Sequence, residues 1–332
     1  MTLATGIGSH PGEDATAYAE AVRVVLGELS DDHGLPYVPE LPGRGAGASM
    51  TGRAVAAATD LAFDLQPAGW RLTDREGVDQ RRARSLLAQD LDQVEEQGQG
   101  YVGPYKTQVT GPWTLAATVE RPRGDRVLAD HGARRDLAQA LAEGVRRHLA
   151  DLRRRLPGVD RWVVQLDEPV LASVLEGRVP TASGFGRHRV VQPPEASAAL
   201  GWVAEAIAAE GAETWVHSCA PGTPLDLVRG AGVQGLLVDP AVLSPGDHDD
   251  LAAALEAGGP VALGVVPTRD PATAPTEASL TESVLRWLDM VGLEPGPGLV
   301  VSPGCGLTGA TSGWARQALA LAAATARHLD GG

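Results

Sequence analysis

Short apolar runs alternate with longer amphipathic stretches along the whole chain. The short runs fall at residues 3–8, 34–38, 107–110, 162–166, 214–217, 235–239, 261–266 and 299–302. Several are rich in β-branched residues and bounded by Gly, Pro or Asp, which favours strand over helix. The longer stretches, 15–29, 81–96, 135–156, 195–209, 247–257, 279–291 and 312–328, carry apolar residues at helical spacing. In 135–156, for example, Leu137, Leu141, Val145, Leu149 and Leu152 recur with arginines and acids between them. Strands that alternate with helices predict a parallel sheet covered on its faces. Eight candidate strands is the number that closes a barrel. An open doubly wound sheet is the competing arrangement, but no Gly-x-Gly-x-x-Gly turn follows an early strand; the first glycines read Thr5-Gly6-Ile7-Gly8-Ser9. The predicted fold is therefore α/β, a (β/α)8 TIM barrel, with residues 1–332 forming one domain.

Composition narrows the partners. The formal net charge is -14, from 28 basic and 42 acidic residues, and this disfavours nucleic acid or an anionic membrane, which need clustered cations. The clusters Arg81-Arg82-Ala83-Arg84 and Arg153-Arg154-Arg155 sit beside acids in helical stretches and read as solvated helix faces. Lys106 is the only lysine; it reads as a compositional trait and carries no chemistry here. The first residues lack a basic segment followed by an apolar one, no uninterrupted apolar run is long enough to span a membrane, and there are only two cysteines, Cys219 and Cys305. Neither a secretory signal nor a disulfide framework is expected, and the predicted location is cytoplasmic.

In a barrel of this kind function gathers where strands end and the following loops begin. His217 and Cys219 stand two apart in Trp215-Val216-His217-Ser218-Cys219, and in extended backbone residues at i and i+2 face the same side. Cys305 follows the last strand in Ser302-Pro303-Gly304-Cys305-Gly306. One imidazole and two thiolates make a ligand set that suits zinc better than magnesium or calcium. Asp239, at the end of the sixth run, is the candidate fourth ligand. The plain alternative is a pair of buried free cysteines and a satisfied core histidine; spacing alone leaves the two readings level.

These residues, with others in the same order, resemble the catalytic barrel of cobalamin-independent methionine synthase. His217, Cys219 and Pro303-Gly304-Cys305-Gly306-Leu307 resemble its zinc site. Ile7-Gly8-Ser9-His10-Pro11 is similar to the family's Ile-Gly-Ser-Phe-Pro segment, which binds the amino-acid substrate. Thr110-Gly111-Pro112-Trp113-Thr114 resembles its Thr-Gly-Pro-x-Thr turn, and Asp167-Glu168-Pro169 its Asp-Glu-Pro motif, whose Asp holds the substrate ammonium. The resemblance implies a zinc-dependent methyltransferase that methylates homocysteine to methionine. Ile7, Ser9, Glu40 and Asp167 are then the substrate-binding residues, and His217, Cys219, Cys305 and Asp239 hold the metal. By the same resemblance Glu168 supports Asp167, Trp113 packs in the barrel top, and His10 faces the mouth as a solvated or catalytic group.

The departures bear on the donor. The full-length family has two barrels and this chain has room for one. Its carboxylate zinc ligand is a Glu where this chain has Asp239. A family loop with a proton-relaying His is replaced by Val265-Val266-Pro267-Thr268-Arg269-Asp270, and arginine does not release a proton near neutral pH. The methyl donor is expected to be a methylcorrinoid, with a corrinoid protein as possible partner, or methyltetrahydrofolate. The alternatives are a methyltransferase for another thiol, a metal-free barrel like uroporphyrinogen decarboxylase, and a non-catalytic zinc or corrinoid carrier.

Overall fold

The computed structural model describes residues 1–331; Gly332, the last residue of the predicted domain, lies outside them. In chain order the strands are β1 (Leu3–Ala4), β2 (Ala62–Gln66), β3 (Gly69–Thr73), β4 (Gly103–Thr110), β5 (Val159–Asp167), β6 (Glu213–Ser218), β7 (Gly235–Val238), β8 (Val261–Val266) and β9 (Leu299–Pro303). Seven of them form one parallel sheet in the order β1-β9-β8-β7-β6-β5-β4. The remaining gap, between β1 and β4, is closed by residues 34–38. Leu35 N donates to Ala4 O at 2.8 Å on one side, and Lys106 N donates to Pro36 O at 2.8 Å on the other. Val38 N returns a bond to Lys106 O at 3.0 Å. The eighth stave is thus present as isolated bridges rather than a continuous ladder, because Pro36 and Pro39 have no N–H to give. The architecture is the predicted α/β barrel.

Long helices follow the strands and start earlier than apolar periodicity shows. The helix predicted at 135–156 spans His131–Arg155 behind an Asp130 cap, and those at 195–209 and 247–257 begin at Pro193 and Pro245. Pro and polar caps suit the first turn, where N–H groups have no partner within the helix. Four short helices, Met50–Ala57, Pro112–Thr118, Leu171–Leu175 and Leu225–Gly230, were not expected. Nor was the antiparallel β2–β3 hairpin, which drives Phe63 and Trp70 into the core. Arg155 of the expected solvated cluster pairs with Asp92, Glu95 and Asp151 on the surface.

The main apolar core lies between barrel and helices. A second cluster, Ile7, Leu35, Val163, Trp215, Leu237, Ala262 and Val300, fills the barrel interior. Trp215 occupies space that only glycine on the next strand leaves free: a Cβ at Gly235 would stand 2.5 Å from its ring. Among the described residues no helix is long and apolar enough to cross a membrane.

Candidate metal centre and substrate cavity

His217 sits near the end of β6, two residues beyond Trp215, and so shares its inward side. Its Nδ1 donates to Leu237 O at 3.2 Å, which fixes the tautomer and leaves Nε2 with a lone pair. Nε2 is buried and has no hydrogen-bond partner. What faces it is sulfur: the ligand atoms of His217, Cys219 and Cys305 all lie within 4.8 Å of one another, and no other such cluster occurs among the described residues. The two Sγ atoms are 2.7 Å apart and both cysteines are free. The contact with the Cys219 sulfur and the neighbouring His217 hold the Cys305 thiol below its usual range, against the cost of burial. Cys219 is pushed up, by that same contact and by burial. An orphaned imidazole nitrogen aimed at two neighbouring sulfurs fits a soft divalent cation, and the ring held by a backbone carbonyl is the usual support of a ligating histidine.

Cys305 reaches this point because β8 and β9 end in close approach. The ladder between them shifts register at Gly264 and Val266, and a Cβ at Gly264 would lie 2.3 Å from Gly304 Cα. Asp239 does not join the trio. Its Oδ1 accepts from Ala241 N at 2.9 Å, capping the turn after β7. Its carboxylate also lies against Gly304, 3.1 Å from where a Cβ would stand. A side chain this short caps its own turn more readily than it reaches across the barrel mouth.

A cavity of about 280 Å³ opens beside the sulfurs, and Ile7, Ser9, Glu40 and Asp167 line it together with His217, Cys219 and Cys305. Gly8, at φ +149, takes a backbone conformation that side chains avoid, and it leaves room for the Gln108 amide 2.7 Å from its would-be Cβ. Leu307 N donates to Ser9 O at 2.8 Å, so the Cys305 loop and the Ile7–Ser9 segment are locked together. A larger surface groove of about 830 Å³ lies where β5 and β6 begin, lined by Arg161, Glu213 and Arg229; it holds none of these groups.

Two buried carboxylates face the cavity. Glu40 accepts from Arg53 Nε at 3.1 Å, and Arg53 is in turn held by Asp90, itself gripped by Arg44. Asp167, the last residue of β5 and in register with His217, accepts from Gln165 Nε2 at 2.7 Å. Burial pushes its carboxyl up to about 7, with the Glu40 charge adding, while His217, the Gln165 amide and Lys106 pull the other way. Lys106 is fully buried in the barrel wall, its Nζ 2.7 Å from Gln165 Oε1 and 3.2 Å from Ile7 O. Burial pulls it down to about 7 against the charges of Asp167 and Glu40.

Glu168 has a different task from its neighbour. It accepts from Trp113 N, Thr114 N and Thr114 Oγ1 at 2.7–2.8 Å, capping helix Pro112–Thr118. The two motifs containing these residues are therefore one structural unit. Trp113 packs as expected, its indole N–H on Ala196 O at 2.9 Å. His10 differs from expectation. It is 2% exposed, bonded through Nε2 to Tyr37 Oη at 2.6 Å, and burial lowers it to about 4; it is a neutral core ring, not a solvated group at the mouth. Lys106, Gln165 and Arg53 were not singled out from sequence; alternation along β4 and β5 from Gln108 and Asp167 points to the first two.

A parallel barrel of seven strands closed by the 34–38 segment carries a thiol–imidazole cluster at its strand ends, where barrel enzymes place their active sites. The family model for the catalytic domain of cobalamin-independent synthase matches residues 80–328, and the chain belongs to that family. It is accordingly a methyltransferase of the homocysteine-methylating type. This sets aside the metal-free decarboxylase-like and carrier alternatives. Among solved structures, a B12-independent methionine synthase from Shewanella sp. W3-18-1, in complex with selenomethionine, matches with TM-score 0.64 and 15% identity, covering 99% of this chain and 98% of that one. At that identity the likeness speaks for the fold. A 2,3-dimethylmalate lyase of the PEP mutase/isocitrate lyase superfamily matches with TM-score 0.39 and 12% identity over 91% of this chain and 75% of that one, too remote to inform the site. No curated protein matches the chain by sequence.

Proposed function

We propose that the chain acts as one catalytic barrel, a zinc-dependent homocysteine S-methyltransferase that forms methionine. His217, Cys219 and Cys305 would hold the ion, while Asp239 keeps to its turn after β7. The observation that carries the reading is the partnerless His217 Nε2 facing two sulfurs beside an amino-acid-sized cavity. A free alkyl thiol is mostly protonated at neutral pH, with a pKa of roughly 8.5; bound zinc holds such a thiol as its nucleophilic anion.

The protein's own groups do the rest. Asp167 and Glu40 receive the substrate ammonium. The Ile7–Ser9 segment meets the carboxylate end. The thiolate attacks the methyl carbon, a sulfur–carbon bond forms, and the donor leaves with the electron pair of the broken bond. A departing cob(I)alamin needs no proton, whereas a departing folate nitrogen does. The loop after β8 supplies no imidazole, and its Asp270 is committed to Thr311 N and Oγ1 at 2.8 and 2.6 Å. That favours a methylcorrinoid, free or carried by a corrinoid protein, over methyltetrahydrofolate.

The test offers the zinc-loaded protein homocysteine with either methylcobalamin or methyltetrahydrofolate and measures methionine. Product with methylcobalamin is expected. Product from the folate alone removes the corrinoid assignment, and no product from either moves the acceptor to another thiol.

A further inference from the structure

We infer that Lys106 is a positioning residue of the amino-acid subsite, acting on Asp167 and on the Ile7–Ser9 segment through the amide of Gln165. The inference rests on the homocysteine reading above.

A fully buried amine is an expensive way to fill a barrel wall. A methionine would occupy the same space without losing hydration. The amine's presence is explained by what it touches. Nζ meets Gln165 Oε1 at 2.7 Å and Ile7 O at 3.2 Å, and it lies 4.9 Å from the centre of the Tyr37 ring. The two ends of a glutamine amide have nearly the same shape, so neighbours decide which way it points. In its charged form Lys106 only donates, which turns Oε1 toward it. Nε2 is thereby turned the other way, onto Asp167 Oδ1 at 2.7 Å and Ile7 O at 2.8 Å.

Two consequences reach the cavity. One Asp167 oxygen is held by Gln165, which fixes the carboxylate plane and leaves the other oxygen for a ligand. The Ile7 carbonyl takes donors from both Lys106 and Gln165, so the peptide leading to Gly8 and Ser9 is fixed before substrate arrives. Lys106 thus couples β4, β5 and the loop after β1 at the place where the amino-acid end of homocysteine would sit, without itself lining the cavity.

The experiment compares wild type, Lys106→Met and Gln165→Glu, each zinc-loaded, with homocysteine and with 4-mercaptobutyrate, which lacks the amine. Lys106→Met is expected to raise KM for homocysteine roughly ten- to hundredfold, the worth of hydrogen bonds to charged groups, to raise KM for 4-mercaptobutyrate, which keeps the carboxylate but not the ammonium, several-fold less, and to change kcat less than threefold or so. Gln165→Glu keeps a partner for Lys106 but turns an oxygen onto Asp167, and should show the same split. An unchanged homocysteine KM in Lys106→Met, or equal losses with both thiols, overturns the inference.

A second measurement needs no variant. Because Lys106 is the only lysine, protein labelled with 13Cε-lysine gives one side-chain signal. L-methionine should move that signal, and 4-(methylthio)butyrate, which keeps only the carboxylate contact, should move it less. A signal that ignores bound methionine also overturns the inference. If wild type neither methylates homocysteine nor binds methionine, the functional reading itself has failed, and this pattern is distinct from the others.

Discussion

Adjacent carboxylates with opposite tasks give the sharpest comparison at the scale of residues. Asp167 faces the cavity and Glu168 faces a helix end, because consecutive positions of an extended chain point to opposite sides. Asp167→Asn keeps the volume and the bond from Gln165 in reach. It is expected to lower kcat/KM for homocysteine roughly 10- to 100-fold, with little change in the urea midpoint. Glu168→Ala leaves Trp113 N and Thr114 N buried without partners and should cost about 2–3 kcal/mol of stability. If Glu168→Ala proved as stable as wild type while Asp167→Asn unfolded, the two assignments would have to be exchanged.

Helix His131–Arg155 illustrates what single elements contribute to stability. Its His148 is buried against β4, 3.2 Å from Thr107 Oγ1, and burial chiefly lowers it from 6.5 to about 4. The fold therefore favours the neutral ring. This contribution is complete above pH 6.5 and is lost as pH falls from there toward 4, where the unfolded chain binds the extra proton. The difference is worth roughly 3 kcal/mol at most. His10 is lowered to the same value by burial and acts in the same direction. Urea midpoints should drop between pH 6.5 and 4, and His148→Gln should shallow that decline; a decline as steep as in wild type would contradict the assignment.

Elements also show what sequence reveals and what it hides. Buried parallel strands are apolar throughout, so β8 and the run at 299–302 could be read directly. β4 could not be read fully, since its Lys106-Thr107-Gln108 stretch looks polar and the predicted strand begins one residue beyond the lysine. The β2–β3 hairpin escaped because its alternation is half polar and no neighbour in sequence announces what Phe63 and Trp70 pack against. Residue type and strand-end position pointed to His217, Cys219 and Cys305, which the structure brings together, but spacing alone left a metal site and a plain core level. Asp239's role as a turn cap was not, since the choice between capping and ligation depends on three-dimensional reach.

Over the whole molecule, the proposed ligands His217, Cys219 and Cys305 link the end of β6 to the loop after β9, with β7 and β8 between them. A bound ion therefore braces half the barrel rim and should stabilise the folded state by mass action, about 2.7 kcal/mol at a hundredfold excess over Kd. Chelation is expected to lower Tm, and added zinc to restore it. Cys305→Ser should have lost zinc and should melt at one temperature with or without chelator. A chelator effect that survives Cys305→Ser would place the stabilising ion elsewhere.

Trp215 and the side chains around it plug the tube beneath His217, so the chamber has a single doorway. Traffic through one door is last in, first out. On the proposed reading the small amino acid would be seated before a bulky donor covers it, and the spent donor would leave before the methylated product.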